Sequence, residues 1–433
     1  MKNKFLTSTL ILILGGFVTR ILGFVIKIIY TRIILEEGVG LHSLVMPTYS
    51  LLITIATLAM PLAISKLVAE EKTRSIKIIC SSVVIIIVVN IILLITMFFG
   101  SKFVAYTLLK NESTYILLLA CTVTLPFVSL SSIVKGYFFG KQRMVPYALS
   151  NSLEQVVRLI LIVCFLPYFV KKSILVAVAA LILFNIISEI SSVIVFLFFI
   201  PKHAIITKQD MKPNVHTIKE VLDVSLPTVS SRFIGNIGFF FEPIILTNIL
   251  LFVGYSSDFI MLEYGAYNAY SISLLTMPSF LVAAISNALM PEISKFHQKR
   301  NTAMLKRRFK QAMFISFVLG LFFSIFIFLF KEPLLWLLYH TKSGIDYITV
   351  LAPFFVLFYL ESPLISTLQG LGLAKFTMKI TLLGVILKNI VLAVFSLFHI
   401  GIYGLIISEI VNIIFVVGTN LYKIKKVMAS LPS

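Results

Sequence analysis

Charge is scarce in this chain: only 13% of its 433 residues are Asp, Glu, Lys or Arg, against 59% hydrophobic residues and a mean hydropathy of +1.04. A soluble globule of this length carries about a quarter of its residues as charges, so a soluble enzyme is excluded and an integral membrane protein is implied. Cysteine is almost missing. Cys80, Cys121 and Cys164 fall in apolar stretches without paired spacing, which excludes a disulfide framework and a thiolate metal site. The histidines are scattered over loops and segment ends without ligand spacing, so no metal centre is expected. There is no phosphate loop, because Gly370-Leu371-Gly372 lacks the strand, the spacing and the Lys-Ser/Thr pair. No Gly-x-Ser-x-Gly elbow marks a hydrolase. The loops between apolar runs are too short for a catalytic domain, so no catalytic residue is assigned and no enzyme is expected.

What the chain does have is apolar runs of about 17 to 25 residues, the length that crosses a bilayer. Twelve are expected, centred near residues 18, 55, 88, 125, 157, 187, 234, 277, 320, 357, 388 and 411. The first follows Lys2 and Lys4, but it is long, holds Arg20 and Lys27 and lacks a small-residue cleavage site, so it reads as a span and not a cleaved leader. The net charge of +19 is explained by its placement. With the N-terminus in the cytoplasm, roughly two thirds of the lysines and arginines fall on the cytoplasmic side, which puts both termini there and leaves no need for a nucleic-acid partner. The largest cluster, Lys295 to Lys310, then faces the anionic phospholipids of the cytoplasmic leaflet.

The sequence repeats itself. Ile-Ile-Ser-Glu-Ile occurs at Ile186 to Ile190 and again at Ile406 to Ile410. Thr19-Arg20-Ile21-Leu22-Gly23 is echoed by Ser231-Arg232-Phe233-Ile234-Gly235, and Met60-Pro61 with Ser65-Lys66 by Met290-Pro291 with Ser294-Lys295. Lys135-Gly136 with Gly140 and Lys141 resembles Gln369-Gly370 with Gly372 and Lys375, and Arg158 is matched by Lys388. The matches keep one order, which predicts a duplication. The fold expected is therefore all-α and polytopic, with two six-helix pseudo-repeat lobes, residues 1–200 and 221–433, joined by a basic linker over 201–220. An even number of spans per half gives both lobes the same direction through the membrane.

Eleven charged residues lie in or at the margin of predicted spans: Arg20, Lys27, Glu154, Arg158, Glu189, Asp223, Arg232, Glu242, Glu361, Lys388 and Glu409. Each costs about 2.5–3.5 kcal/mol at mid-membrane if unpaired, so they need partners or water. Glu154 and Arg158 are four apart with the glutamate first, the arrangement of a same-face ion pair. Lys27 and Asp223 lie near span ends, within snorkelling reach of water. Arg20 and Arg232 lie about 15–20 Å from the cytoplasmic edge of the hydrocarbon. Two such guanidinium groups, each always charged and able to grip phosphate oxygens in a fork, suit a diphosphate. Lys27, Arg158 and Lys388 are further candidates for substrate contact. Glu189 and Glu409, in the twin motif, suggest a shared structural role, such as capping a neighbouring helix. Glu242 and Glu361 lack a charged twin, which makes them candidates for a coupling cation, sodium or proton; no other cofactor is expected.

The run Lys135-Gly136-Tyr137-Phe138-Phe139-Gly140, with Met144, Pro146, Ser150, Glu154-Gln155 and Arg158, resembles the stage V sporulation protein B family of polysaccharide exporters. So do Arg20 with Gly23-Phe24, Gly38 with Gly40, and Met60-Pro61 with Ile64-Ser65-Lys66. That family belongs to the multidrug, oligosaccharidyl-lipid and polysaccharide exporter superfamily. Membership implies two six-helix lobes around a central cavity with alternating access; the chain is expected to be a flippase of the bacterial cytoplasmic membrane and to act as a monomer. The implied partner is undecaprenyl diphosphate carrying a saccharide, for cell-wall, spore-cortex or polysaccharide synthesis, with Arg20 at the position of a diphosphate-binding arginine. Some relatives carry two further C-terminal helices that this sequence does not show. Two other functions are compatible with such a chain: a cation-coupled drug exporter of the same superfamily, and a polytopic glycosyltransferase or ligase.

Overall fold

The computed structural model describes the backbone of residues 2–71, 73–199 and 214–430, and side chains from residue 14 onward within those stretches except that of Ser231. All regular structure among the described residues is helical. Most of the expected linker, Pro201 to Pro213, lies outside the described residues, and residues 215–220 belong to a helix.

The first compact unit, Met1–Phe240, holds α1 (Lys2–Thr57), α2 (Met60–Glu70), α3 (Ser75–Phe103), α4 (Thr114–Gly140), α5 (Met144–Val170), α6 (Ile174–Phe198) and the first part of α7 (Val215–Val253). The second, Phe241–Ser433, holds the rest of α7, then α8 (Ser257–Gly265), α9 (Ser273–Thr276), α10 (Ser279–Gln298), α11 (Thr302–Leu329), α12 (Lys331–Tyr339), α13 (Ile345–Gly370), α14 (Ala374–Ser396) and α15 (Tyr403–Ser430). Among the described residues ten helices are long and apolar enough to cross a membrane, or eleven when the pair Ser257–Thr276 and Ser279–Gln298, bent by 53°, counts as one span. The difference from twelve comes from Leu14–Glu70, a 57-residue stretch that contains two expected centres. Its continuity is broken at Leu35, which has a left-handed φ of 58°.

The surface is inverted relative to a soluble protein. Phe98, Phe99, Phe198, Phe252 and Phe314 are exposed, while Ser81, Ser129, Ser150, Ser192 and Asn90 are buried. In hydrocarbon this is the stable arrangement, because lipid accepts rings and polar groups must find partners inside. Ser150 of α5 donates its hydroxyl to the Ser192 carbonyl of α6 at 2.8 Å, and Asn90 of α3 donates to the Ala56 carbonyl at 3.3 Å. Small polar side chains thus bind helix to helix.

The repeats have a packing cause. In the first unit α4 packs against α1, α2, α3 and α6; in the second, α13 packs against α10, α11 and α15. At the end of α4, a Cβ added to Gly136 would lie 2.9 Å from Pro61 Cα, and one added to Gly140 2.8 Å from the Ser65 carbonyl oxygen. At the end of α13, a Cβ on Gly370 would lie 2.8 Å from the Met290 carbonyl oxygen. The repeated Met-Pro helix therefore rests on a glycine in each unit, at a separation no side chain fits. Alanine at Gly136 or Gly370 is expected to cost about 1–3 kcal/mol through overpacking. Thermal unfolding of the purified variants in detergent checks this, and an unchanged midpoint would contradict the contact.

The boundary between units falls inside α7, later than expected. Val221, and with it Ile218, Leu222 and Val229, packs into an apolar cluster with Met60, Ile64, Ile78, Ile86 and Ile133. Asn236 donates its amide to Thr54 Oγ1 at 2.5 Å. Residues 221–240, expected in the second lobe, belong to the first unit, and Arg232 goes with them.

Candidate functional site

Each unit contains a buried lysine clamped between two carboxylates. In the first, Lys135 extends from α4 between α5 and α6 and donates to Glu154 Oε2 at 2.8 Å and to Glu189 Oε2 at 3.0 Å. Glu154 Oε1 also accepts from Arg158 Nη2 at 3.0 Å, the expected pair one helical turn apart, and Arg158 reaches Ser188 Oγ at 3.3 Å. Two cations face two anions, so the formal charges cancel. Cancellation is what makes such a group tolerable in a low-dielectric interior.

In the second unit, Lys388 of α14 donates to Glu242 Oε2 of α7 and Glu409 Oε2 of α15, both at 2.6 Å. Glu242 Oε1 accepts from the buried hydroxyl of Tyr264 on α8 at 3.0 Å. Directly after Tyr264 the chain makes a π-helical stretch, Ala266–Ile272, a local widening frequent at functional sites. Glu361 of α13 lies within the electrostatic reach of Glu409 and forms no hydrogen bond or ion pair among the described residues. Two carboxylates thus clamp one ammonium group, with Glu361 close to one of them, and the balance is negative where the first unit's is neutral.

The two clamps are related but not equivalent. Glu189 and Glu409 are the twins found in the repeat, and each accepts from a lysine. The lysines come from different helices. Lys388 stands at the repeat position of Arg158, while the repeat position of Lys135 is Gln369, so the second unit moved its cation from the fourth helix of the repeat to the fifth. Lys135 is the site residue that sequence reading missed. Its position near the end of α4 looked like a loop, yet a lysine five residues inside a helix that carries no acid demands a carboxylate from a neighbour.

Of the expected substrate cations, Arg158 and Lys388 are paired with carboxylates, and the acids Glu154, Glu189, Glu242 and Glu409 are each paired with one or more of Lys135, Arg158 and Lys388. Lys27 is half-buried, and it has no ion pair among the described residues. Arg20 on α1 and Arg232 on α7 are exposed and make no hydrogen bond or ion pair among the described residues, although both belong to apolar helices of the first unit. Asp223 is exposed on α7.

Buried, ion-paired charge inside membrane-length helices, together with two arginines on apolar helices that have no ion pair among the described residues, defines a polytopic transporter. The chain belongs to the polysaccharide biosynthesis protein family, whose model matches residues 5–297; the MatE model matches residues 243–395. It is 35% identical to stage V sporulation protein B of Bacillus subtilis (strain 168) over 99% of this chain and 85% of that protein. To lipid II flippase MurJ of the same organism it is 22% identical over 90% of this chain and 76% of that one. Among solved structures, an inward-facing multidrug resistance MATE family transporter of the MOP superfamily has the same fold, with a TM-score of 0.76, 17% identity and 95% coverage of both chains. The chain is thus a multi-pass membrane transporter of the MOP superfamily, and the activities named among these proteins are transport and flipping.

Proposed function

We propose that the protein is a flippase that moves an undecaprenyl-diphosphate-linked saccharide from the inner to the outer leaflet of the bacterial cytoplasmic membrane by alternating access, with both termini in the cytoplasm. The observation that carries this reading is the state of Arg20 and Arg232. Two guanidinium groups on apolar helices, without a carboxylate partner among the described residues, suit an anionic ligand, and a diphosphate offers oxygens in the spacing a guanidinium fork binds. Lys27, further along α1, extends the same positive potential. The family description, polysaccharide biosynthesis protein, and the name of one relative, lipid II flippase, agree with a lipid-linked saccharide. A drug exporter that takes organic cations would place acids there.

The test is reconstitution in liposomes with undecaprenyl-diphosphate disaccharide labelled on its sugar, followed by chemical quenching of the outer-leaflet label. Protein-dependent loss of the protected pool supports the reading; a protected pool identical to that of empty vesicles overturns it.

The second unit's negative balance suits a coupling cation. Glu361, without a hydrogen-bond or ion-pair partner among the described residues and close to Glu409, is our candidate to take sodium or a proton when the clamp between Lys388, Glu242 and Glu409 rearranges. Glu361→Gln is therefore expected to abolish stimulation of transport by an imposed cation gradient while leaving the slower gradient-free exchange. Stimulation equal to wild type would remove Glu361 from the cycle.

A further inference from the structure

At one end of the second unit a cavity of about 500 Å³ opens among Tyr255, Phe259, Glu263, Tyr347, His399 and Tyr403. Its size is that of a small-ligand site. α15 runs from this cavity at Tyr403 to Lys423, Lys425 and Lys426, and α11 starts among basic residues and ends toward the cavity side, so the cavity lies at the opposite end of the unit from the basic loops. With the basic loops cytoplasmic, it faces outward.

The walls are of two kinds. Tyr255 and Phe259 are stacked, with ring centroids 5.0 Å apart and planes within 18°, and Phe259 is 36% exposed. Tyr347 and Tyr403 meet edge to face with centroids 5.9 Å apart, and Tyr403 is 38% exposed. Among these rings stands a carboxylate: Glu263 Oε2 accepts from the Tyr347 hydroxyl, and Oε1 has no partner among the described residues.

The loop that closes the cavity is held under strain. His399, at φ 57°, and Gly401, at φ 59°, are both left-handed, and a non-glycine residue there costs on the order of 1 kcal/mol. The Tyr255 hydroxyl holds the loop by donating to the His399 carbonyl at 2.7 Å. Gly401 lies against the stack, where an added Cβ would be 3.6 Å from Tyr255 Oη and 3.7 Å from the Phe259 ring. The clamp, the diphosphate arginines and the glycine contacts do not use this cavity.

We propose that this cavity is a saccharide subsite that receives a pyranose ring at the outer face of the second unit. A pyranose has a face of C–H groups, electropositive and apolar, and an edge of hydroxyls. The C–H face matches the electron-rich ring faces of Phe259 and Tyr403, and the hydroxyl edge matches the unpaired Glu263 oxygen and the tyrosine hydroxyls. The sugar identified by this chemistry is the headgroup of the lipid-linked saccharide, so its source rests on the flippase reading, whereas the subsite itself does not. Capture of the emerging sugar here would bias the cycle toward release on the outer side.

The test uses the full-length protein in lipid nanodiscs and a free disaccharide, di-N-acetylchitobiose, which has neither lipid nor phosphate. Saturation-transfer NMR is expected to show transfer from protein to the C–H face of the sugar, reduced about two- to ten-fold in Phe259→Ala and in Glu263→Gln. Thermal midpoints of both variants check that they remain folded, and the isosteric Glu263→Gln keeps the Tyr347 bond available. No transfer in wild type, or equal transfer in both variants, would overturn the proposal. So would selective transfer to tetramethylammonium, which would make the cavity an amine cage. Sugar contact without lipid flipping would leave the subsite and remove the flippase; flipping without sugar contact would do the reverse.

Discussion

Alanine at Arg20 or at Arg232 is expected to reduce flipping of the saccharide lipid by about ten- to a hundred-fold, the loss of one charge-assisted contact of about 1.5–3 kcal/mol, and alanine at both to abolish it. Neither side chain has an ion pair among the described residues, so removing it leaves no orphaned carboxylate and insertion and thermal stability should stay near wild type. That separation of activity from stability is what distinguishes a ligand-binding arginine from a structural one. Lysine at either position keeps the charge but loses the fork, so intermediate transport is expected. Liposome flipping assays at matched protein density read all of these, and full activity in the double variant would end the assignment.

The opposite pattern is expected at Lys388. Lys388→Met leaves Glu242 and Glu409, both within 2.6 Å of the missing ammonium, as like charges facing each other in a low-dielectric interior. Breaking a buried ion pair by removing one partner typically costs about 3–5 kcal/mol, so the midpoint of thermal unfolding should fall sharply. Neutralising the acids as well, in Lys388→Met with Glu242→Gln and Glu409→Gln, should recover most of the loss, because replacing a whole buried pair is often nearly neutral. If the triple variant were no more stable than the single one, the clamp would not be the cause.

Much of this arrangement was readable in the sequence, and the gaps have physical reasons. Periodicity and length show membrane helices because hydrocarbon leaves the backbone no other choice. The repeat is legible because each Met-Pro helix and its glycine must preserve a backbone contact that tolerates no side chain, as at Gly136 and Gly370. Glu154 and Arg158 are legible because helix geometry alone brings them together. Lys135 and Tyr264 were not, since their partners lie on other helices and no local spacing encodes a contact across a bundle. The unit boundary was misplaced for a similar reason: proline and lysine near residues 201–213 look like a linker, but Val221 and its neighbours are apolar residues that pack back on α2, α3 and α4. The aromatic cavity left no trace either, because its walls come from three separate segments, the stretch from Tyr255 to Glu263, Tyr347 on α13 and Tyr403 on α15.

The central claim, that this transporter carries a diphosphate-linked saccharide on Arg20 and Arg232, is tested most directly by native mass spectrometry of the protein extracted gently from its own membrane. The account predicts a copurifying undecaprenyl-diphosphate saccharide in wild type that is lost in Arg20→Ala and Arg232→Ala, while ordinary phospholipids stay bound in all three. Wild-type protein that retains phospholipids but carries no diphosphate lipid, or variants that carry it as fully as wild type, would contradict the account.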